Sequence, residues 1–118
     1  MKISVGIDIV DISDFKKRIT RTKSLKERIF TEHEIAYCKN KGMEHLAGRF
    51  TAKEAFAKAC ETGIAWHDVE IRNLSSGKPI LLVNEKIMNR FKIKNIEVSI
   101  SHTRNNAIAF VIVQHRIK

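Results

Sequence analysis

The sequence predicts an α+β domain in which helices pack on a mainly antiparallel β-sheet. The chain opens with a strand-like alternation of apolar and polar residues. Its middle is helical, including a proline-free, alanine-rich segment at residues 44–60, and strand patterns return after Trp66. Because most strands and most helices occupy separate parts of the chain, an α+β arrangement is favoured over repeated alternation of strand and helix.

The first strand is predicted at residues 2–9, where apolar and polar residues alternate with a period of two. The apolar face, which we expect to point into the core, consists of Ile3, Val5, Ile7 and Ile9. The carboxylate of Asp8 then leaves the opposite face, near the C-terminal end of the strand. It either contributes to a functional site there or caps the helix that follows.

A basic helical stretch is predicted at residues 13–30, with a break before a capping-box pattern at residues 24–27. A second capping-box pattern at residues 31–34 opens a helix that runs to Cys38, and a loop follows at residues 39–42. The long helix at residues 44–60 has a face of small residues that permits close packing; it consists of Gly48, Ala52, Ala55 and Ala59.

The rest of the chain is predicted to be two strand pairs separated by a short helix. Strands at residues 69–72 and 80–83 flank a turn at 75–78, and a helix covers residues 84–91. Strands at residues 96–101 and 107–113 flank a polar turn, which predicts a terminal hairpin. The expected order is therefore β-α-α-α-β-β-α-β-β.

Composition predicts one domain over residues 1–118 with no membrane association. No run of 18 apolar residues occurs, and the N-terminus lacks the segments of a signal peptide. Cys38 and Cys60 provide no disulfide framework and are expected to be buried or half-buried thiols in a reducing compartment, which indicates a cytoplasmic location. The net charge of +9 favours anionic partners: nucleic acid, acidic lipid, phosphorylated small molecules or an acidic protein.

The alanine-rich helix carries the candidate chemistry. Glu54 and Lys58 are four residues apart and share a helix face. They form either a weak surface ion pair or, together with Asp8, part of a site for a hard cation that bridges to phosphate oxygens. Magnesium is commonly held in this second way, by one or two carboxylates, water and substrate phosphates.

Three segments resemble the signature segments of holo-acyl-carrier-protein synthase, the small bacterial 4'-phosphopantetheinyl transferase. They are residues 5–10 (VGIDIV), 48–59 (GRFTAKEAFAKA) and 98–103 (VSISHT), and a Gly-Lys-Pro turn at residues 77–79 also fits. The resemblance covers essentially the whole chain and implies the 4'-phosphopantetheinyl transferase fold. It implies Mg²⁺-dependent transfer of phosphopantetheine from coenzyme A to a serine of an acyl carrier protein, releasing 3',5'-ADP, in fatty acid biosynthesis.

The resemblance also implies roles for individual residues. Asp8 and Glu54 would be the metal ligands, with water taking the position that larger relatives fill with a carboxylate two residues after the first, here Val10; Asp11 is a less favoured ligand. Lys58 would contact the phosphates and stabilise the leaving group. Glu54 is the favoured general base, with His102 as a chemical alternative.

The remaining assignments concern coenzyme A and the assembly. The nucleotide phosphates are assigned to Arg49, Ser101, His102 and Thr103, and the adenine side to Lys78 and Pro79. By analogy with the family the protein would be a homotrimer with active sites at subunit interfaces. One subunit would supply Asp8, Glu54 and Lys58, while its neighbour supplies Lys78, Ser101 and His102.

The basic first helix acquires a role from the same resemblance, since the family docks its acidic carrier protein there. The proposed contacts are Arg18, Arg21 and Arg28, which share a face if the helix continues through Ser24; the alternative is an ordinary solvated surface. Two other functions remain as alternatives. One is a nucleic-acid-binding domain, which leaves the two carboxylates unexplained, and the other is an inactive relative that only binds coenzyme A.

Overall fold

The computed structural model describes residues 2–117, and five strands and five α-helices follow one another in the described chain. The strands are β1 (Lys2–Asp11), β2 (Val69–Asn73), β3 (Pro79–Val83), β4 (Ile93–His102) and β5 (Asn106–His115). The helices are α1 (Ile12–Arg21), α2 (Leu25–Ile29), α3 (Glu32–Cys38), α4 (Met43–Cys60) and α5 (Glu85–Arg90), and a 3₁₀ helix covers Trp66–Asp68. No helix in this part of the chain is long and apolar enough to cross a membrane.

The strands form two antiparallel sheets, which confirms the predicted α+β class. The larger sheet has the order β1-β5-β4, so the first strand pairs with the last, and the smaller sheet is the β2-β3 hairpin. The terminal hairpin of β4 and β5 is also as predicted. This topology places the end of β1, the end of β4 and the start of β5 at the same edge of the molecule, because Asp11 pairs with Asn106 and His102 with Ala107.

Helix α4 lies at the centre of the molecule and divides the core in two. Its small residues Ala52, Ala55 and Ala59 pack with Phe56 against the strands. Leu46, Ala47 and Phe50 pack instead on the first three helices, where the ring of Phe50 lies 5.2 Å from that of Phe15. The predicted close packing of the small face is confirmed, and eleven of the residues of α4 are buried.

The predicted orientation of β1 is wrong. Ile3, Val5, Ile7 and Ile9 are 55–61% exposed, whereas Gly6 on the other face is buried. The reason is the approach of α4: a Cβ on Gly6 would lie 1.9 Å from the Ala55 carbonyl oxygen. The face of β1 that carries Asp8 therefore packs on α4, and the isoleucine face points away from this core.

The basic helical stretch is two helices rather than one, so four helices, not three, separate β1 from β2. Ser24 marks the break, with a left-handed backbone (φ 68°), and its side chain makes no capping hydrogen bond, so the capping box predicted there is wrong. The capping box of Thr31 and Glu34 is confirmed: each side chain bonds the other residue's backbone N–H. Because the chain turns at Ser24, Arg28 lies on a different helix from Arg18 and Arg21.

Candidate active site

The packing of β1 on α4 brings Asp8 to Lys58. Lys58 Nζ donates to Asp8 Oδ1 at 2.9 Å and to the Ile7 carbonyl oxygen at 3.2 Å. The Lys58 side chain is 57% exposed and that of Asp8 is 18% exposed, so a ligand in solvent can reach the ammonium while the carboxylate stays against the protein. Asp8 is not a helix cap, because Asp11 takes that role by accepting from the Asp14 N–H at 2.9 Å.

Glu54 lies one helical turn before Lys58 on α4 and is partly buried. Burial raises the pKa of its carboxyl group, the negative charge of Asp8 raises it further, and Lys58 and Arg18 act in the opposite direction. Lys58 forms its ion pair with Asp8, so the alternative of a simple Glu54–Lys58 surface pair does not describe the site. The structure thus brings the predicted group of Asp8, Glu54 and Lys58 together.

The donor set of this group suits a hard cation. It offers carboxylate oxygens on two separate elements, one of them partly desolvated, and their mutual repulsion is relieved when a cation binds between them. Within residues 2–117, no group of three or more His, Cys, Asp or Glu side chains is arranged to hold a metal ion. The residues fit a Mg²⁺ ion that takes its other ligands from water and phosphate.

A second polar group surrounds Arg49, on another face of α4. The Arg49 side chain is buried, its guanidinium stacks 4.4 Å above the ring of Tyr37, and its Nη2 donates to Asn73 Oδ1. Its Nε has no hydrogen-bond partner among the described residues. Arg49, Pro79 and His102 line one pocket of about 230 Å³. A buried guanidinium with a free N–H is suited to an anionic ligand.

Of the other residues predicted to bind the nucleotide, Lys78 lies between two residues that line this pocket, whereas Ser101 pairs with Ile108 and faces the outer side of the sheet. Ser101 is exposed near the end of β4. Lys78 directly precedes β3, and its Nζ lies 3.8 Å from Glu97 Oε1 of β4. Thr103 shapes the β4-β5 turn: its hydroxyl oxygen accepts from the backbone N–H groups of Asn105 and Asn106 at 3.3 and 3.2 Å. Thr103 and His102 also line a wider opening of about 470 Å³.

The cluster that contains Glu54 and the polar group around Arg49 lie in different parts of the protein surface. Glu54 lines a pocket of about 220 Å³ with Ala57, Gly63 and Trp66, and none of these lines the Arg49 pocket.

Sequence reasoning missed three residues of the Arg49 pocket region: His45, Asn73 and Tyr37. The spacing of His45, four residues before Arg49 on the same helix face, could have identified it. Asn73 and Tyr37 come from elements distant in sequence, so no local pattern indicates them.

The basic residues assigned to docking are all exposed: Arg18, Arg21 and Arg28. Arg18 lies beside the Glu54 group, with its guanidinium carbon 5.8 Å from the centre of the Phe50 ring. Its charge also lowers the pKa of Glu54. A partner bound to α1 would therefore lie next to Glu54, although Arg28 does not share the helix of the other two arginines.

The free cysteines are as predicted. Cys38 is buried, Cys60 is half-buried, and burial raises the pKa of the Cys60 thiol to about 11.

Comparison with known proteins identifies the family. Residues 4–111 match the 4'-phosphopantetheinyl transferase superfamily. A holo-[acyl-carrier-protein] synthase of Clostridium beijerinckii is 45% identical, with 97% of this chain and 98% of the relative aligned. The chain belongs to the holo-[acyl-carrier-protein] synthase family of these transferases.

Solved structures agree in fold. The Helicobacter pylori synthase in complex with coenzyme A superposes with a TM-score of 0.87 at 36% identity, covering 93% of this chain and 99% of that one. The Bacillus anthracis synthase in complex with CoA (3',5'-ADP) gives a TM-score of 0.82 at 36% identity, covering 96% of each chain. The family, the fold and the transferase class predicted from the sequence are confirmed.

Proposed function

We propose that the protein transfers the 4'-phosphopantetheine group of coenzyme A to a serine hydroxyl of an apo acyl carrier protein, with Mg²⁺ bound by Asp8 and Glu54. The observation that carries the proposal is the cluster of Asp8, Glu54 and Lys58. It occurs in a chain that aligns over nearly its full length with curated holo-[acyl-carrier-protein] synthases.

The reaction is a phosphoryl transfer. The serine oxygen forms a bond to the β-phosphorus of the coenzyme A pyrophosphate, the bond from that phosphorus to the bridging oxygen breaks, and 3',5'-ADP leaves with the electron pair. Glu54 is the proposed base that takes the serine proton, directly or through a water molecule. The exposed Lys58 side chain leaves its pair with Asp8 and places its ammonium on the phosphate oxygens, where leaving-group charge develops.

Mg²⁺, when bound, supplies charge neutralisation at the pyrophosphate. On the protein side, Asp8 and Glu54 would provide one oxygen ligand each from β1 and α4. The position of Val10, next along the same strand face, offers no further oxygen ligand from a side chain.

The nucleotide end of coenzyme A is assigned to the Arg49 pocket. Arg49 and His102 line it, and the free Nε of Arg49 supports an anionic occupant. Lys78 and Pro79 would contact the adenine side, and Ser101 and Thr103 would contribute to binding the nucleotide phosphates. Since Glu54 lines a different pocket, this division suits a cofactor that reaches from one subunit to the next.

We infer a homotrimer with shared sites. Support comes from the outer face of the β1-β5-β4 sheet, where apolar side chains of neighbouring strands lie opposite one another: Ile7 pairs with Phe110, Val5 with Ile112 and Ile9 with Ile108. Phe110 is 40% exposed, and the four apolar residues of β1 more so. A continuous exposed apolar face of this kind marks an association surface.

The carrier protein is proposed to dock on α1 through Arg18 and Arg21, with Arg28 of α2 at the edge of the contact. Acidic carriers complement this surface, and complementary charge accelerates association in a salt-dependent way. The reaction is assigned to fatty acid biosynthesis in the cytoplasm, without nucleic acid or membrane partners.

Mass spectrometry of an apo acyl carrier protein tests the proposal directly. Incubation with the protein, coenzyme A and Mg²⁺ is expected to add the mass of one phosphopantetheine group to the carrier. Glu54→Gln and EDTA should each abolish the gain. A folded protein that binds coenzyme A but modifies none of several apo carriers would instead be an inactive coenzyme A-binding relative.

A further inference from the structure

The Arg49 pocket contains a histidine that the proposed function has not used. His45 is half-buried on α4, one turn before Arg49, and it lines the pocket together with His102. The two imidazole centroids lie 6.4 Å apart, and the ring planes make an angle of 57°. Two histidines from separate elements, α4 and the end of β4, therefore border one opening whose buried guanidinium has a free N–H.

The charges around His45 are mostly positive. Partial burial lowers the pKa of His45; Arg49, Lys41 and His102 lower it as well, and Glu44 of the same helix opposes them. Arg104, in the turn after β4, lines the adjoining opening together with Glu44 and His102. In the free protein this surrounding charge favours a neutral His45. A strongly anionic ligand would reverse the balance and favour the imidazolium.

The chemistry of coenzyme A offers one group of that charge at its nucleotide end. A phosphate monoester carries about −1.5 to −2 charges at pH 7, because its second pKa is near 6. Each phosphorus of the pyrophosphate has one ester oxygen and one bridging oxygen, so it keeps a single ionised oxygen and carries about one negative charge. The 3'-phosphate therefore demands the most positive charge, and Arg49 alone cannot balance a dianion.

We propose that His45 is a further binding residue of this site, which together with His102 and Arg49 receives the 3'-phosphate of the nucleotide and takes up a proton as the nucleotide binds. The inference rests on the proposed function, since it adds a contact to the nucleotide end assigned above. It makes His45 a determinant of specificity for coenzyme A over 3'-dephospho-coenzyme A, and it makes binding stronger as the pH falls toward the histidine range.

Titration calorimetry of the full chain with coenzyme A and with 3'-dephospho-coenzyme A tests this, using buffers of different ionisation enthalpy at pH 7. The wild type should prefer coenzyme A and take up protons on binding it. His45→Gln, which keeps a polar side chain but cannot become charged, should lose about tenfold in affinity for coenzyme A, the size expected for one hydrogen bond to a charged group. Affinity for the dephospho compound should change by less than about twofold, and proton uptake should fall.

The matched control is His33→Gln, which removes an exposed imidazole on α3 and should change neither affinity nor proton uptake. His45→Phe provides a second variant that fills the same space without a donor and should behave as His45→Gln does. Equal loss for both nucleotides, or unchanged proton uptake in the two His45 variants, would overturn the proposal.

The carrier modification assay separates this failure from that of the proposed function. If the wild type modifies the carrier while both His45 variants bind coenzyme A as tightly as the wild type, the His45 assignment alone is wrong. If the wild type binds neither nucleotide, the proposed function is wrong as well.

Discussion

Lys53 Nζ lies 2.7 Å from Glu34 Oε1, and the two side chains are 1% and 0% exposed. The ammonium also donates to the carbonyl oxygens of Ile29 and Trp66 at 2.8 and 3.1 Å. Glu34 Oε2 accepts from the Ile71 N–H at 2.8 Å. This buried pair ties α4 to the ends of α2 and α3 and to β2. Burial lowers the pKa of Lys53, and Glu34 opposes that effect.

The first prediction concerns this pair. Lys53→Met should lower the free energy of unfolding by about 3–5 kcal/mol, because it leaves the Glu34 carboxylate buried without its cation. Adding Glu34→Gln should recover about 1 kcal/mol, since the amide removes the buried charge, which outweighs the loss of one of the two backbone hydrogen bonds that the carboxylate accepts from Thr31 and Ile71. Urea denaturation of the two single variants and the double variant measures both effects. A double variant less stable than Lys53→Met would contradict this account.

The second prediction concerns the contact of β1 with α4. Gly6→Ala should destabilise the protein by about 1–3 kcal/mol through overpacking and should also lower transfer activity, because the strand that carries Asp8 must move. Gly63→Ala is the matched control for stability, since a Cβ there meets nothing within 4 Å. Denaturant midpoints compare the two variants, and the carrier modification rate of Gly6→Ala is compared with that of the wild type because Gly63 itself lines the Glu54 pocket. Equal behaviour of the two would show that α4 does not set the position of β1.

The third prediction concerns pH. The folded state raises the pKa of Glu54 above its ordinary value of 4.5. As the pH rises from about 4.5 toward neutrality, the unfolded chain ionises this group first, so the folded state loses stability relative to a variant that does not titrate. In EDTA, Glu54→Gln should therefore unfold at a higher temperature than the wild type at pH 7, and the difference should shrink toward pH 4.

Excess Mg²⁺ should reverse that order, because a bound cation stabilises the ionised carboxylate of the wild type. Differential scanning calorimetry with and without the metal shows whether it does. If Mg²⁺ raises the unfolding temperature of wild type and variant equally, Glu54 is not a ligand.

The fourth prediction concerns the outer face of the larger sheet. Ile7→Glu places a charge opposite Phe110 and should convert the proposed trimer to monomers with greatly reduced activity. Ile117→Glu introduces the same change at another exposed isoleucine, beyond the end of β5, and should leave the assembly intact. Sedimentation velocity measures the outcome. A monomeric wild type would contradict the shared-site proposal.

The fifth prediction concerns the carrier protein. Arg21→Glu should raise the KM for the acidic carrier by about tenfold without changing the KM for coenzyme A, because like charges then meet across the contact. Arg28→Glu should have a smaller effect, since the break at Ser24 moves Arg28 to the edge of the surface. Arg90→Glu, at the end of α5, is the control. Steady-state kinetics at low and high salt distinguishes the three.

The sequence allowed much of the fold and one half of the candidate site to be predicted, because the relevant signals are local. Periodicity located the strands and α4, and the spacing of Glu54 and Lys58 placed both on one helix face. The predicted orientation of β1 is wrong because its exposed isoleucines alternate in the way expected of core residues. Gly6 determines the orientation, because α4 approaches closely there. Since glycine has no side chain, the hydrophobic pattern does not indicate which face Gly6 occupies.

The contacts that were missed are those between distant parts of the chain. Arg49 meets Asn73 from the β2 end, and Lys53 meets Glu34 across 19 positions of sequence. Nothing in the neighbourhood of either residue specifies its partner, since both contacts depend on how α4 is packed. The partners of buried charges on a central helix follow from the fold and not from the local pattern.

The alternation of β1 limits how this strand can change its length. Asp8 and Gly6 face α4, and the residues between and beside them face outward. Inserting or deleting a single residue before Gly6, with the pairing of the strand start to β5 kept, would exchange the two faces: a carboxylate would enter the apolar surface, and an isoleucine or valine would occupy the tight contact at Ala55. Changes by two residues would preserve both faces. Length variation in this strand should therefore be tolerated only in even steps.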